Sequence, residues 1–173
     1  MPSDCLPPLV LPSRVIHECI RRGLTIGTAE SCTGGLVCAA LTSVAGSSAV
    51  VRGGVVSYAI PVKQAVLGVD EAVVRAPGLG VVSAPCAEQM ALGACHVLGC
   101  DVAVSVTGIA GPGGAEPGKP VGTVWFGVAR RGSARSVCRH LPGDREEVRH
   151  TAVRVALGLL LDEVMEDMPR AAD

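Results

Sequence analysis

The chain has 173 residues, 49% of them hydrophobic, and a formal net charge of −1 at pH 7. This length fits a single globular domain and argues against a second full-sized one. The balanced, scattered charges disfavour nucleic acid as a partner, and every apolar run is interrupted before it reaches the length of a membrane span.

Helix and strand patterns alternate along the first part of the chain. Ser13 is predicted to cap a first helix, which carries its apolar face on Val15, Ile16, Cys19 and Ile20 and stops at Gly23. The following segments are predicted as a strand over 24–30, a helix over 36–44, a loop over 45–48, a strand over 49–58 and a short helix over 61–67. The stretch from Gly68 to Gly80 is predicted to be mostly connection.

The second part of the chain continues the alternation. Ser83 is predicted to cap a helix that runs through Leu98. The remaining segments are predicted as a buried strand over 101–107, a loop over 108–120, two antiparallel strands over 121–130 and 134–140, and an amphipathic helix over 144–167. This order predicts an α/β fold: a three-layer α/β/α sandwich around a mixed, mostly parallel sheet of about five strands. Residues 13–167 are expected to form the single domain, between an N-terminal extension (1–12) and a C-terminal tail (168–173).

A serine lies where the first predicted strand meets the next helix. Ser31 is followed by small residues, and the first turn of a helix leaves backbone amides unpaired. The amides of Cys32, Gly34 and Gly35 are therefore candidates for an oxyanion hole around a nucleophilic Ser31. Two alternatives stay open: simple helix capping, which favours the same residue types, and a nucleophilic Cys32 thiol.

A serine hydroxyl needs a base, and none of the four histidines lies in a suggestive place. Lys63 is one of only two lysines and follows Tyr58 at the end of a predicted strand. A desolvated lysine can act as a base, so Ser31, Tyr58 and Lys63 form a candidate catalytic group. The alternative is that Lys63 is an exposed helix residue and Tyr58 an edge-strand aromatic.

Two features are candidates for phosphate binding. One is a glycine-rich loop that starts with Thr107, Gly108, Ile109, Ala110 and Gly111. Such a loop lets backbone amides approach a phosphate closely, although it also suits an ordinary connection. The other is Arg145 at the start of the last helix, which can pair with a phosphate or simply be a solvated helix end. The turns after Ser31, Tyr58 and Gly108 all follow predicted strands, and we expect them around one crevice.

The cysteine and histidine patterns indicate neither a disulfide framework nor a metal centre. The eight cysteines include no Cys-x-x-Cys pair, and the histidines lack the close spacing of common zinc sites. Residues 1–12 lack the basic start and apolar centre of a signal peptide. We therefore expect a cytoplasmic protein without a metal.

The ordered motifs resemble the CinA carboxy-terminal domain family, whose stand-alone members include nicotinamide mononucleotide amidohydrolases. The resemblance runs from about Ser13 to Leu161. It rests on Thr-Ala-Glu-Ser-Cys-Thr-Gly-Gly at 28–35, Ala-Gly-Ser-Ser at 45–48, Gly-Gly-Val-Val-Ser-Tyr at 53–58, Val-Thr-Gly-Ile-Ala-Gly-Pro-Gly-Gly at 106–114, Lys-Pro-Val-Gly-Thr-Val at 119–124 and Gly-Asp-Arg at 143–145.

This resemblance implies a function for the candidate residues. Ser31 would attack the nicotinamide carboxamide, Lys63 and Tyr58 would assist proton transfer, and an acyl-enzyme would be hydrolysed to nicotinate mononucleotide after ammonia leaves. Glu30 and Thr33 are added to the expected substrate contacts. The resemblance also implies the three-layer fold, no metal or organic cofactor, a homo-oligomer (a dimer or larger) and a role in pyridine nucleotide recycling.

The segment before Lys63 departs from the family pattern. Where the family usually has Ser-Asn-Glu-Ala-Lys, this chain has Ala-Ile-Pro-Val-Lys at 59–63. Ile60 and Pro61 therefore motivate two alternatives to the amidohydrolase: a non-catalytic module that binds a nucleotide or a protein, and an amidohydrolase for a different carboxamide.

Overall fold

The computed structural model describes residues 10–166 of the chain. The helices are α1 (Val10–Arg22), α2 (Leu36–Thr42), α3 (Ile60–Leu67), α4 (Glu71–Arg75), α5 (Ala84–Leu98) and α6 (Arg145–Met165), with a 3₁₀ turn at Ser47–Ala49. The strands are β1 (Ile26–Glu30), β2 (Val51–Val56), β3 (Val102–Gly108), β4 (Thr123–Arg130) and β5 (Ser133–His140). Among these helices, none is long and apolar enough to cross a membrane.

The five strands form one mixed sheet in the order β2-β1-β3-β4-β5. β1 pairs in parallel with both β2 and β3, whereas β4 runs antiparallel to β3 and to β5. β1, β2, β3 and β5 therefore point the same way and β4 points the opposite way, which confirms the predicted mixed, mostly parallel sheet. The carboxyl ends of β1, β2 and β3 meet at one edge of the sheet. The turns that follow these strands therefore lie together, as expected for residues around one crevice.

Helices cover both faces of the sheet. α1, α2 and α6 enclose the larger apolar core on one face, and α3, α4 and α5 enclose a smaller one on the other. The central strands β1 and β3 are buried almost throughout because both of their faces pack against helices. These layers confirm the predicted α/β/α sandwich.

Local signals explain where several elements begin and end. The Ser83 side chain caps α5 by accepting from the Cys86 amide, as predicted. Asp144 and Glu147 form a reciprocal capping box at the start of α6. Arg131 and Gly132, with φ of 53° and 78°, form the two-residue turn between β4 and β5, a conformation that suits tight hairpins.

The predicted start of the first helix was wrong. α1 already begins at Val10, so Ser13 lies inside the helix, and Ile20 is 51% exposed instead of facing the core. The stretch predicted to be mostly connection, 68–80, also contains the short helix α4, which Asp70 caps through the Ala72 amide. The 168–173 tail and most of the 1–12 extension lie outside the described residues.

Candidate active site

Ser31 stands at the carboxyl edge of the sheet, directly after the central strand β1. Its backbone amide donates to the Val106 carbonyl of β3 at 2.9 Å, which fixes the start of the turn that leads into α2. The side chain is partly exposed. A hydroxyl is thus presented to solvent by a rigid strand, a suitable placement for a nucleophile.

Lys63 reaches Ser31 from α3. Its Nζ lies 2.9 Å from the Ser31 Oγ, although the two residues are 32 positions apart in the sequence. The same Nζ donates to the backbone carbonyl of Ser57 and, at 3.4 Å, to that of Tyr58. The Lys63 residue is only 1% exposed, so the exposed helix residue considered as an alternative is wrong.

Burial lowers the pKa of Lys63 below the ordinary value of 10.5. Among residues 10–166, no carboxylate lies within ion-pair distance of the Lys63 amine to counter this effect. A neutral amine has two N–H groups and one lone pair. Donation to two carbonyls and acceptance from the Ser31 hydroxyl would satisfy all three, so this geometry suits a lysine base.

Cys32, the rival nucleophile, is buried. Desolvation raises the pKa of its thiol to about 11, and this effect outweighs the positive charges of Lys63 and Arg149. A thiol with so high a pKa is almost fully protonated at neutral pH. The structure therefore favours a packing role for the Cys32 side chain.

The Glu30 carboxylate organises the turn and does not face a ligand site, contrary to the expected substrate contact. It is 1% exposed, accepts from the backbone amides of Gly35, Val37 and Cys38 at 2.8–3.1 Å, and faces the Thr28 hydroxyl at 3.2 Å. A carboxylate is well suited to the unpaired amides at a helix N-terminus. Glu30 thereby anchors α2 directly behind Ser31.

We expect Glu30→Gln to lower the free energy of unfolding by about 3 kcal/mol or more, because hydrogen bonds to a charged group are lost and an amide group is turned toward backbone amides. Urea unfolding followed by circular dichroism measures this change. The matched control is Glu88→Gln on α5, where the carboxylate accepts from the Ser136 hydroxyl. An equal, small effect of both substitutions would contradict the anchoring role.

Arg149 of α6 also holds this turn, a contact that no sequence pattern predicted. Its guanidinium donates at 3.1 Å to the carbonyl of Cys32 and at 3.1 Å to that of Thr33. In a trans peptide the carbonyl and the following amide point in opposite directions. Arg149 therefore turns the Thr33 amide away from α6.

The predicted oxyanion hole needs a correction. The Gly34 amide donates to the Ser31 carbonyl and the Gly35 amide to Glu30, so neither is free to bind a developing charge. The amides of Cys32 and Thr33 donate no hydrogen bond within residues 10–166. These two are the better-placed candidates.

The structure does not bring the Tyr58 hydroxyl to Ser31. The residue is 63% exposed, and its hydroxyl accepts from Arg145 at 3.4 Å while its carbonyl accepts from Lys63. Tyr58 therefore contacts both the candidate base Lys63 and the candidate phosphate-binding arginine. This position fits a substrate contact better than the predicted proton transfer at Ser31.

A cavity of about 540 Å³ adjoins Arg145 and is lined by Ala110, Pro112, Val121, Gly143, Asp144, Arg145 and Glu146. This size is within the range of small-molecule sites. The Arg145 side chain donates to the Gly111 carbonyl at 2.7 Å, which fixes it against the glycine-rich loop. Two of the predicted loop contacts, Ala110 and Gly111, thus lie at or beside this cavity.

Two of the other predicted substrate contacts, Thr107 and Ile109, form hydrogen bonds within the protein. The Thr107 hydroxyl donates to the Val81 carbonyl, and the Ile109 amide donates to the Thr123 carbonyl. The Thr33 side chain is fully buried. Gly108 closes β3, where an added Cβ would meet the Thr123 carbonyl at 2.7 Å. Thr33 and Thr107 are buried, and their expected substrate contacts stay predictions.

Known proteins match almost the whole described chain. A relative from Enterobacter agglomerans named nicotinamide-nucleotide amidohydrolase PncC is 45% identical over 84% of this chain and 88% of its own length. A CinA-like protein from Mycolicibacterium gilvum is 54% identical over 80% of this chain, which spans only 32% of that relative. The other CinA-like relatives are likewise about three times as long as the matched part.

Solved structures agree with these matches. A CinA superfamily protein from Klebsiella pneumoniae superimposes with a TM-score of 0.87 at 36% identity, over 92% of this chain and 98% of its own. A competence/damage-inducible protein from Agrobacterium tumefaciens gives 0.84 at 43% identity, over 90% and 94% of the two chains. The CinA C-terminal domain model matches residues 10–164. The chain therefore belongs to the CinA C-terminal domain family.

Proposed function

We propose that the protein is an amidohydrolase that converts nicotinamide mononucleotide and water to nicotinate mononucleotide and ammonia, as a step in pyridine nucleotide recycling. The hydrogen bond between the Lys63 amine and the Ser31 hydroxyl, formed by a buried lysine, carries this proposal. The relative named nicotinamide-nucleotide amidohydrolase supplies the substrate class.

In the first half-reaction, the Ser31 hydroxyl adds to the carboxamide carbon while the neutral Lys63 amine takes its proton. The negative oxygen that forms is stabilised by the free amides of Cys32 and Thr33. The Lys63 ammonium then donates its proton to the departing nitrogen. The carbon–nitrogen bond breaks, ammonia leaves, and the acyl group remains on Ser31 as an ester.

In the second half-reaction, Lys63 is neutral again and takes a proton from water as the water attacks the ester carbon. Collapse of the intermediate returns the proton to the Ser31 oxygen and releases the carboxylate product. Arg145 binds the phosphate of the nucleotide and Tyr58 orients Arg145, which agrees with their 3.4 Å contact.

The departure at 59–63 does not disturb the catalytic pair. Ala59 precedes α3, Ile60 is 41% exposed, and Pro61 occupies the first turn of the helix, where a missing amide costs little. Lys63 still reaches Ser31. This contact favours an enzyme over the non-catalytic binding module.

Substitution of Arg145 tests the phosphate contact. We expect Arg145→Gln to lower kcat/KM for nicotinamide mononucleotide about ten-fold or more relative to nicotinamide riboside, because only the first substrate carries the phosphate. Steady-state ammonia release on both substrates gives this ratio. Arg139→Gln, on an arginine that donates to the neighbouring Cys138 carbonyl, is the control. An unchanged ratio in Arg145→Gln would place the phosphate elsewhere.

A panel of carboxamides tests the substrate. The wild-type protein is expected to release ammonia from nicotinamide mononucleotide faster than from nicotinamide riboside, nicotinamide or glutamine. Faster turnover of another member would assign the same serine chemistry to a different amide. Calorimetric binding of nicotinamide mononucleotide without ammonia release would favour the binding module.

A further inference from the structure

Cys95 and Cys100 lie at the sheet edge opposite Ser31, where α5 ends and β3 is about to begin. The proposed reaction does not use their thiols. Their neighbours hold the end of α5 in place: the Asp101 carboxylate accepts from both the amide and the hydroxyl of Thr25, at 2.8 Å and 2.7 Å. The two cysteines therefore occupy a fixed part of the structure.

The end of α5 brings the two side chains together. Gly99 adopts the left-handed conformation with φ of 59°, and the Cys100 amide donates back to the Cys95 carbonyl at 3.2 Å. This six-residue closure is the Schellman arrangement, which frequently brings the two flanking side chains into contact. In this structure the Cys95 thiol donates to the Ala129 carbonyl at 3.6 Å and the Cys100 thiol to the Ala94 carbonyl at 3.9 Å.

The backbone spacing is compatible with a disulfide. Standard bond lengths and the Cys100–Cys95 hydrogen bond place the two Cα atoms at most about 7 Å apart. Disulfides join Cα atoms that are about 4.4–6.8 Å apart. A covalent bond between the sulfurs therefore requires side-chain rotation and little backbone movement.

The thiols can be reached from solvent and differ in acidity. Both line a cavity of about 320 Å³, together with Leu24, Asp101, Arg130, Arg131 and Gly132. Cys95 is partly exposed, whereas Cys100 is only 9% exposed. The neighbouring Cys100 thiol also lowers the pKa of Cys95. Desolvation raises the pKa of Cys19, Cys32, Cys38, Cys86 and Cys138. Cys95 is thus the better-placed nucleophile of the pair.

We propose that Cys95 and Cys100 are a redox-active pair that forms a reversible intrachain disulfide by exchange with small-molecule disulfides. The Cys95 thiolate attacks one sulfur of the small disulfide and expels one thiolate. Cys100 then gives up its proton and attacks the Cys95 sulfur of the mixed disulfide, expelling the second thiolate. The pair is oxidised by two electrons, and the small disulfide is reduced to two thiols.

Peptide mapping with glutathione disulfide tests this proposal. The reduced full-length protein is incubated with glutathione disulfide, free thiols are alkylated with iodoacetamide, and the peptides are identified by mass spectrometry. We expect the segment that contains both cysteines to lose two hydrogens and to escape alkylation until dithiothreitol is added. Cys100→Ser should stop at one glutathione on Cys95, and the control Cys138→Ser should behave like wild type.

Two outcomes would overturn the assignment. One is a wild-type protein in which Cys95 and Cys100 remain fully alkylated while other cysteines are oxidised, a result that needs no variant to fold. The other is a Cys95→Ser protein that acquires glutathione on Cys100 as fast as Cys100→Ser acquires it on Cys95. Neither readout depends on the proposed amidohydrolase activity.

Discussion

Ser31→Ala is expected to lower kcat for ammonia release from nicotinamide mononucleotide at least about 10³-fold, because no other group can form the acyl-enzyme. The fold should survive, since the side chain is partly exposed and its backbone contact with Val106 remains. Ammonia assays on the purified variant, with circular dichroism as a check of folding, measure both effects.

Two further variants show whether the loss of activity is specific to Ser31. Ser43→Ala removes an exposed hydroxyl at the end of α2 that donates to the Ala40 carbonyl, and should retain full activity. Cys32→Ala keeps the backbone amide of the turn and should retain most activity. Activity that survives in Ser31→Ala but disappears in Cys32→Ala would make the thiol the nucleophile and contradict the proposed mechanism.

Lys63→Met is expected to lower kcat by about 10²–10⁴-fold, the usual contribution of a general base. Lys63→Arg should not restore the rate, because a guanidinium stays protonated in proteins. Lys119→Met, at the only other lysine, which pairs with Glu116, is the matched control. Wild-type turnover in Lys63→Met would exclude the lysine as the base.

The burial of Lys63 also sets the pH dependence. Only the neutral amine can accept the Ser31 proton, so the rate should rise with pH through the lowered pKa of Lys63, below the ordinary 10.5. The native state binds this proton more weakly than the unfolded chain does. Stability should therefore also rise with pH between the two pKa values, and Lys63→Met should abolish this rise. A pH–rate profile with no rise below pH 10 would contradict a neutral lysine base.

The sequence predicted the elements whose ends carry local signals. Ser83 caps α5, Arg131 and Gly132 form a tight turn, and the apolar run of β3 indicates a buried strand. The short α4 was missed because five residues are too few to show a helical period. The first helix was predicted to start after a Ser13 cap, four residues later than Val10, the first residue of α1.

The site was less predictable because its parts are distant in sequence. Ser31 and Lys63 were grouped only by their chemistry and their places after predicted strands, and Arg149, which lies 117 positions from its partner Cys32, was not identified. No periodicity reveals such pairs. Glu30 was expected at the substrate from the family resemblance, whereas the adjacent helix start binds its carboxylate through backbone amides, which every sequence has.

The most direct test of the central claim follows ammonia and nicotinate mononucleotide together, in wild-type protein and in Ser31→Ala, with nicotinamide mononucleotide as substrate. The proposed mechanism predicts equal amounts of both products from wild type and a folded but inactive variant. Turnover by Ser31→Ala at the wild-type rate, or a folded wild-type protein that releases neither product, would contradict it.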